Sequence, residues 1–160
     1  MSTKLLLSQI ATLLGCSSPV NDAEITGAVI DSRKVFLGCL FVALDGEHVD
    51  GHDYIAAARQ AGASAALVTK IQNDSLPQLV VADVTKAFAE IAKYWLKQCQ
   101  TKVVAITGSN GKTTVKEMVA SILRQCGSVV STQGNLNNDL GVPLTVMNIK
   151  PSTDYAVIEM

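Results

Sequence analysis

The chain has 160 residues, a net charge of −1, a pI of about 6.1, and 48% hydrophobic against 17% charged residues. That length buries one ordinary core or two small ones, and the apolar share excludes a disordered chain. The near-neutral charge gives no field for holding nucleic acid. No basic segment leads into an apolar run at the start and no apolar span reaches bilayer length, so a cytoplasmic protein without membrane insertion is expected.

In chain order, LLLSQIATLLG (5–15) has apolar residues at helical spacing and a stop at Gly15. CLFVAL (39–44) reads as a strand, and DYIAAARQAGA as a short helix closed by Gly62. AALVT and QLVVAD are further strands, each a short apolar run bounded by polar residues. Val84, Phe88, Ile91, Trp95 and Cys99 fall three or four apart, which predicts a helix with one buried face. The strand KVVAIT, a glycine-rich turn and a helix with Val115, Met118, Val119, Ile122, Leu123 and Cys126 at helical spacing follow, with Gly127 as the stop. SVVST and YAVIEM complete the list of strands. Apolar strands alternating with helices predict a parallel sheet. The fold class is therefore α/β, with a small mixed α/β domain over 1–83 and the first part of a parallel-sheet, P-loop ATPase domain over 84–160. The ending at Met160, directly after an apolar strand, reads as that of a fragment. Cys16, Cys39, Cys99 and Cys126 are scattered without CxxC spacing, so reduced and mostly buried thiols are expected.

The turn in VVAITGSNGKTTVKEM (103–118) points to phosphate. Gly108 and Gly111 let successive N–H groups turn inward where a helix starts. Lys112 offers a positive charge for the β- and γ-phosphates of ATP, and Thr113 a hydroxyl for Mg²⁺. The general pattern has four residues between its glycines, whereas only Ser109 and Asn110 separate these two. Glu159 closes an otherwise apolar strand, where a carboxylate is costly unless it serves a purpose. It is a candidate magnesium ligand, or else an exposed strand-end residue.

TGSNGKTT (107–114) resembles the nucleotide loop of the Mur ligases, in which this shortened form is usual. TQGNLNNDLGVPLTVM (132–147) is similar to the branch that adds D-alanyl-D-alanine, and DSRKVFLGCLFVALDGEHVDGHDYIAAARQAGASAALV (31–68) to an N-terminal domain shared with the branch adding the third peptide residue. The resemblance implies an ATP-dependent amide ligase of peptidoglycan precursor synthesis, working through an acyl phosphate on a UDP-N-acetylmuramoyl tripeptide with D-alanyl-D-alanine. It implies ATP held by Gly108, Ser109, Asn110, Gly111, Lys112, Thr113 and Thr114, with Lys112 catalytic and Mg²⁺ on Thr113 and Glu159. Asp31, Ser32 and Arg33 match a segment of the UDP-sugar domain, although an Asp31–Arg33 pair that only stiffens a loop is an open alternative. Asn137 and Asn138 either face substrate or satisfy a tight turn, and His52, like His48, either caps a helix in a structural role, the favoured reading, or faces the nucleotide. The full-length protein is expected to be a monomer, and this chain alone is not expected to catalyse ligation. An incomplete second domain is expected to be weakly stable or prone to associate. A third-residue ligase and a non-catalytic nucleotide-binding module are the alternatives.

Overall fold

The computed structural model describes residues 4–17, 20–46, 50–134 and 136–160. They divide into two compact units, Lys4–Ile91 and Ala92–Met160. His48 lies outside the described residues.

In the first unit, β1 (Leu5–Leu6) and β2 (Glu24–Ile25) pair antiparallel on either side of α1 (Leu7–Leu14), which closes at Gly15 as predicted but starts two residues later than the apolar run, Leu5 and Leu6 being drawn into the strand pair. A four-stranded parallel sheet follows in the order β3 (Gly27–Val29), β4 (Cys39–Val42), β5 (Ala65–Val68), β6 (Gln78–Val80). Every residue of β4 and β5 is buried, as parallel strands covered on both faces require. A 3₁₀ turn (Gly51–Tyr54) leads into α2 (Ile55–Gln60), whose Ile55 and Ala58 join Cys39, Phe41, Ala66 and Val68 in one apolar cluster. Burial of Phe41 there contributes roughly 1.5–3 kcal/mol. β1, β2 and β3 are two or three residues long, too short for alternation to reveal them in the sequence.

The helix α3 (Val84–Gln98) buries Val84, Phe88, Ile91 and Trp95 of the predicted stripe, while Cys99 lies just past its end and is half-buried. Asp83 Oδ1 accepts from the Lys86 N–H at 3.0 Å and caps its start. Of the four cysteines, Cys39 is buried, Cys16 and Cys99 are half-buried, and Cys126 is exposed, so the expectation of mostly buried thiols is corrected. Cys126 follows a helix whose outer side faces solvent.

In the second unit, β7 (Lys102–Ile106), α4 (Lys112–Leu123), β8 (Val129–Ser131), α5 (Gly141–Met147) and β9 (Tyr155–Glu159) build a three-stranded parallel sheet in the order β7-β9-β8. The last strand in sequence is central and buried from Ala156 to Glu159, whereas β7 is an edge with Val103 exposed. α4 packs on β8 and β9, with Lys116 and Ala120 buried and Val119 and Leu123 half-buried. Val115, Met118 and Ile122 are exposed, so the helix turns only part of its apolar stripe toward this sheet. Small Ala120 permits close approach, and buried Lys116 finds polar partners at the strand ends.

No element is assigned from the sequence over α5, whose Gly141, Pro143 and β-branched residues are poor helix formers. Pro143 sits in the first turn, where a missing N–H costs nothing. A Cβ at Gly141 would lie 2.3–2.5 Å from Leu136 backbone atoms, which explains glycine there. The Trp95 indole N–H donates to the Ile149 carbonyl at 2.8 Å, so this buried ring has its polar edge satisfied.

Candidate functional site

The carboxyl ends of β7, β8 and β9 converge beside the N-terminus of α4, the usual ligand-binding edge of a parallel sheet. The turn from β7 into α4 carries Gly108, Ser109 and Asn110, all exposed, and ends at Gly111 with φ 74°. That left-handed conformation is open to glycine and strained for other residues. No described side chain caps α4, and the first helical bond is that of the Val115 N–H to the Gly111 carbonyl. The N–H groups of Lys112, Thr113 and Thr114 thus precede the helical ladder, the arrangement that receives anions. Nothing lies within 4 Å of where a Gly111 Cβ would stand, so the backbone is open to a close ligand. The stem of half-buried Lys112 passes 3.9 Å from the corresponding point at Gly108.

Glu159 stands opposite Ile106 in the strand register, which sets its carboxylate beside this turn. It is 3% exposed. The Thr113 hydroxyl lies 3.2 Å from its Oε2 and 3.3 Å from its Oε1, and Asn137 Nδ2 donates to Oε1 at 3.0 Å. The Glu159 N–H donates to Thr132 Oγ1 at 3.0 Å, and Lys116 Nζ lies 3.7 Å from Oε2. A hydroxyl and an anionic carboxylate are hard oxygen donors of the kind Mg²⁺ takes. The donor set and the open anion-binding turn therefore fit a magnesium nucleotide. Lys116 and Thr132 were not singled out from the sequence. A lysine one turn beyond Lys112 in a helix reads as solvated, and only the packing shows it buried.

Asn137 points at the Glu159 carboxylate, while Asn138 Oδ1 accepts from the Gly141 N–H at 2.7 Å and holds the turn into α5. The two neighbours thus do different work.

In the first unit, Asp31, Ser32 and Arg33 open a 3₁₀ turn (Ser32–Lys34) after β3. Asp31 accepts from the Arg33 N–H at 3.0 Å, from Nε at 2.9 Å and from Nη2 at 2.8 Å. These bonds hold the Asp31 carboxyl well down, to about 2. The pair does stiffen the loop, yet the Arg33 side chain remains 86% exposed and keeps donors for an anionic ligand.

His52 is buried and capped by Asp50, which accepts from its backbone N–H at 2.9 Å. Its Nε2 accepts from the Thr69 N–H at 3.1 Å, so Nδ1 carries the proton and donates to Asp50 Oδ1 at 2.6 Å. Asp45, Asp50 and His52 form the one close cluster of metal-ligand type among the described residues. The hydrogen bonds already made by both ring nitrogens assign His52 a structural role. Among the described residues no helix is long and apolar enough to cross a membrane.

Comparison with known proteins identifies the family. The family model described as the Mur ligase family, catalytic domain, matches residues 24–122, and that of the Mur ligase middle domain matches 106–160. The UDP-N-acetylmuramoyl-tripeptide–D-alanyl-D-alanine ligase of Escherichia coli (strain K12) is 48% identical over 154 residues, covering 96% of this chain and 34% of that protein. The ligase of the same name from Bacillus subtilis (strain 168) is 39% identical, covering 85% and 30%. A crystal structure of MurF from Acinetobacter baumannii superposes with a TM-score of 0.84 at 36% identity, over 98% of this chain and 36% of that one. MurF ligase from Thermotoga maritima in complex with ADP gives 0.73 at 35% identity, over 84% and 31%. The chain spans about a third of the length of these relatives. With the family's catalytic-domain model matching more than half of its residues, the chain belongs to the Mur ligase family.

Proposed function

We propose that this chain is part of a ligase that uses ATP to join D-alanyl-D-alanine to a UDP-N-acetylmuramoyl tripeptide, a step in making peptidoglycan precursors. The observation that carries the reading is the meeting of the Thr113 hydroxyl and the buried Glu159 carboxylate at the uncapped start of α4. The names of the similar ligases supply the substrate class. Because the chain spans about a third of their length, ligation belongs to the whole protein and not to this chain alone. The whole protein is read as a cytoplasmic monomer.

In this reading residues 1–83 hold the UDP-sugar and 84–160 form part of the ATP-binding domain. The backbone from Gly108 to Thr114, including Ser109, Asn110 and Gly111, receives the ATP phosphates. Lys112 adds a mobile charge where the phosphoryl group is transferred, and catalysis is largely charge stabilisation and alignment. Thr113 and Glu159 hold Mg²⁺, which when bound neutralises charge on the phosphates. Asn137 orients the Glu159 carboxylate, and Asn138 shapes the loop that carries Asn137. Arg33, steadied by Asp31 and flanked by Ser32, pairs with the UDP diphosphate.

Calorimetric titration of the chain with UDP-N-acetylmuramoyl tripeptide, with UDP as the control, tests the first unit. Saturable binding that Ser32→Ala and Arg33→Ala weaken supports it, and unchanged binding in both variants sinks the assignment of that turn. Titration with ATP and magnesium tests the second unit, where Lys112→Ala should weaken binding at least about tenfold.

A further inference from the structure

Lys116 is 1% exposed, which is unusual for a lysine, and the phosphate-binding reading does not use it. Its Nζ donates to the Thr132 carbonyl at 2.8 Å and lies 3.3 Å from Glu117 Oε1 and 3.7 Å from Glu159 Oε2. A carbonyl alone needs only a neutral donor. A buried ammonium needs a counter-charge, and Glu159 is the buried carboxylate within reach, since Glu117 is more than half exposed.

The contacts close a ring. Lys116 reaches the Thr132 carbonyl, the Thr132 hydroxyl accepts from the Glu159 N–H, and the Glu159 carboxylate returns to Lys116. The three residues come from α4, from the end of β8 and from the end of β9. Asn137 holds Oε1 while Lys116 faces Oε2, so the carboxylate is restrained from both sides. Thr113 is on the same helix one turn earlier, three residues from Lys116. Lys116 therefore ties the two oxygen donors of the candidate magnesium site into one rigid unit.

We infer that Lys116 is a positioning residue that fixes the Glu159 carboxylate beside the Thr113 hydroxyl for a divalent cation. This deepens the proposed function and rests on its reading of Thr113 and Glu159. Lys116 is assigned its role through Glu159, which it faces at 3.7 Å, and not as a ligand of nucleotide or cation. It acts by restricting the rotation of Glu159 and by compensating the buried carboxylate before a cation arrives.

The test compares ATP affinity in magnesium with ATP affinity in EDTA, by calorimetry on the chain and on Lys116→Met and Lys116→Gln. Met keeps the volume, whereas Gln drops the charge but keeps a donor for the Thr132 carbonyl. Both variants should lose about tenfold or more of the gain in affinity due to magnesium, with affinity in EDTA unchanged. A purely structural lysine would alter stability, or both affinities together, and leave their ratio where it was. An unchanged or increased ratio overturns the inference while leaving the loop reading intact. Failure of the unmodified chain to bind ATP, or to gain affinity with magnesium, overturns the reading of the site and the inference with it. Should both variants misfold, the Lys116 Nζ resonance of the unmodified chain decides the matter. It should shift when magnesium is added to the ATP-bound chain, and a resonance that stays put rejects the positioning role.

Discussion

The Thr113 hydroxyl stands 3.2 Å from Glu159 Oε2, although 46 residues separate them in sequence. Thr113 belongs to the first turn of α4 and Glu159 ends the central strand of a three-stranded sheet. Their meeting brings two hard oxygen donors to the start of a helix whose first N–H groups precede the helical ladder. Replacing Thr113 by Ala, or Glu159 by Gln, should therefore reduce affinity for magnesium ATP by about tenfold or more while sparing binding in EDTA. Calorimetry under the two conditions makes the distinction. Equal losses in both would mean that these residues support the loop instead of the cation.

Gly111 holds φ 74° at the start of α4, and nothing lies near the place a Cβ would take. Gly111→Ala should cost about 1–2 kcal/mol through backbone strain alone. Urea denaturation measures that loss, and ATP affinity should fall with it as the loop amides turn away. Gly141→Ala differs in cause, since its Cβ would collide with the Leu136 backbone. About 1–3 kcal/mol from overpacking is expected, with the backbone ordinary on either side.

Trp95 is the single tryptophan, 1% exposed, and its indole N–H is bonded to the Ile149 carbonyl. Its emission should be blue-shifted in the folded chain and move red as Ala92–Met160 unfolds. Trp95→Phe leaves the Ile149 carbonyl without this donor and should destabilise the unit by about 1–3 kcal/mol. A change below half a kcal/mol in denaturant titrations would show that the bond adds little.

The Asp31 carboxyl is held at about 2, first by its side-chain bonds to Arg33 and then by the Arg33 backbone N–H. A depressed carboxylate stabilises the fold above its unfolded pKa, and that contribution fades as pH falls from about 4 through about 2. The group lies at the surface, half-buried and open to solvent screening, so the loss is small and best read by carboxyl NMR titration. In Arg33→Ala the Asp31 midpoint should rise toward 3.8, the backbone bond keeping part of the shift. An unmoved midpoint would refute the pairing.

Much of the site is legible in the amino-acid order because it is built from neighbours in the chain. Strand, glycine turn, lysine, threonine and helix follow one another within residues 102–123, and local periodicity and glycine chemistry determine each piece. Glu159 could be singled out for a related reason, as a carboxylate ending an apolar strand. Only the tertiary structure decided that β9 runs between β7 and β8, because strand order depends on pairings between distant segments. That order brings Glu159 to Thr113, Asn137 and Lys116. It also decided which side of α4 faces the sheet. Apolar spacing picks out Val115, Met118, Val119, Ile122, Leu123 and Cys126, yet the fold leaves Val115, Met118, Ile122 and Cys126 exposed and Val119 and Leu123 half-buried, and buries Lys116 and Ala120, where an ammonium meets its partners and a small side chain allows close packing.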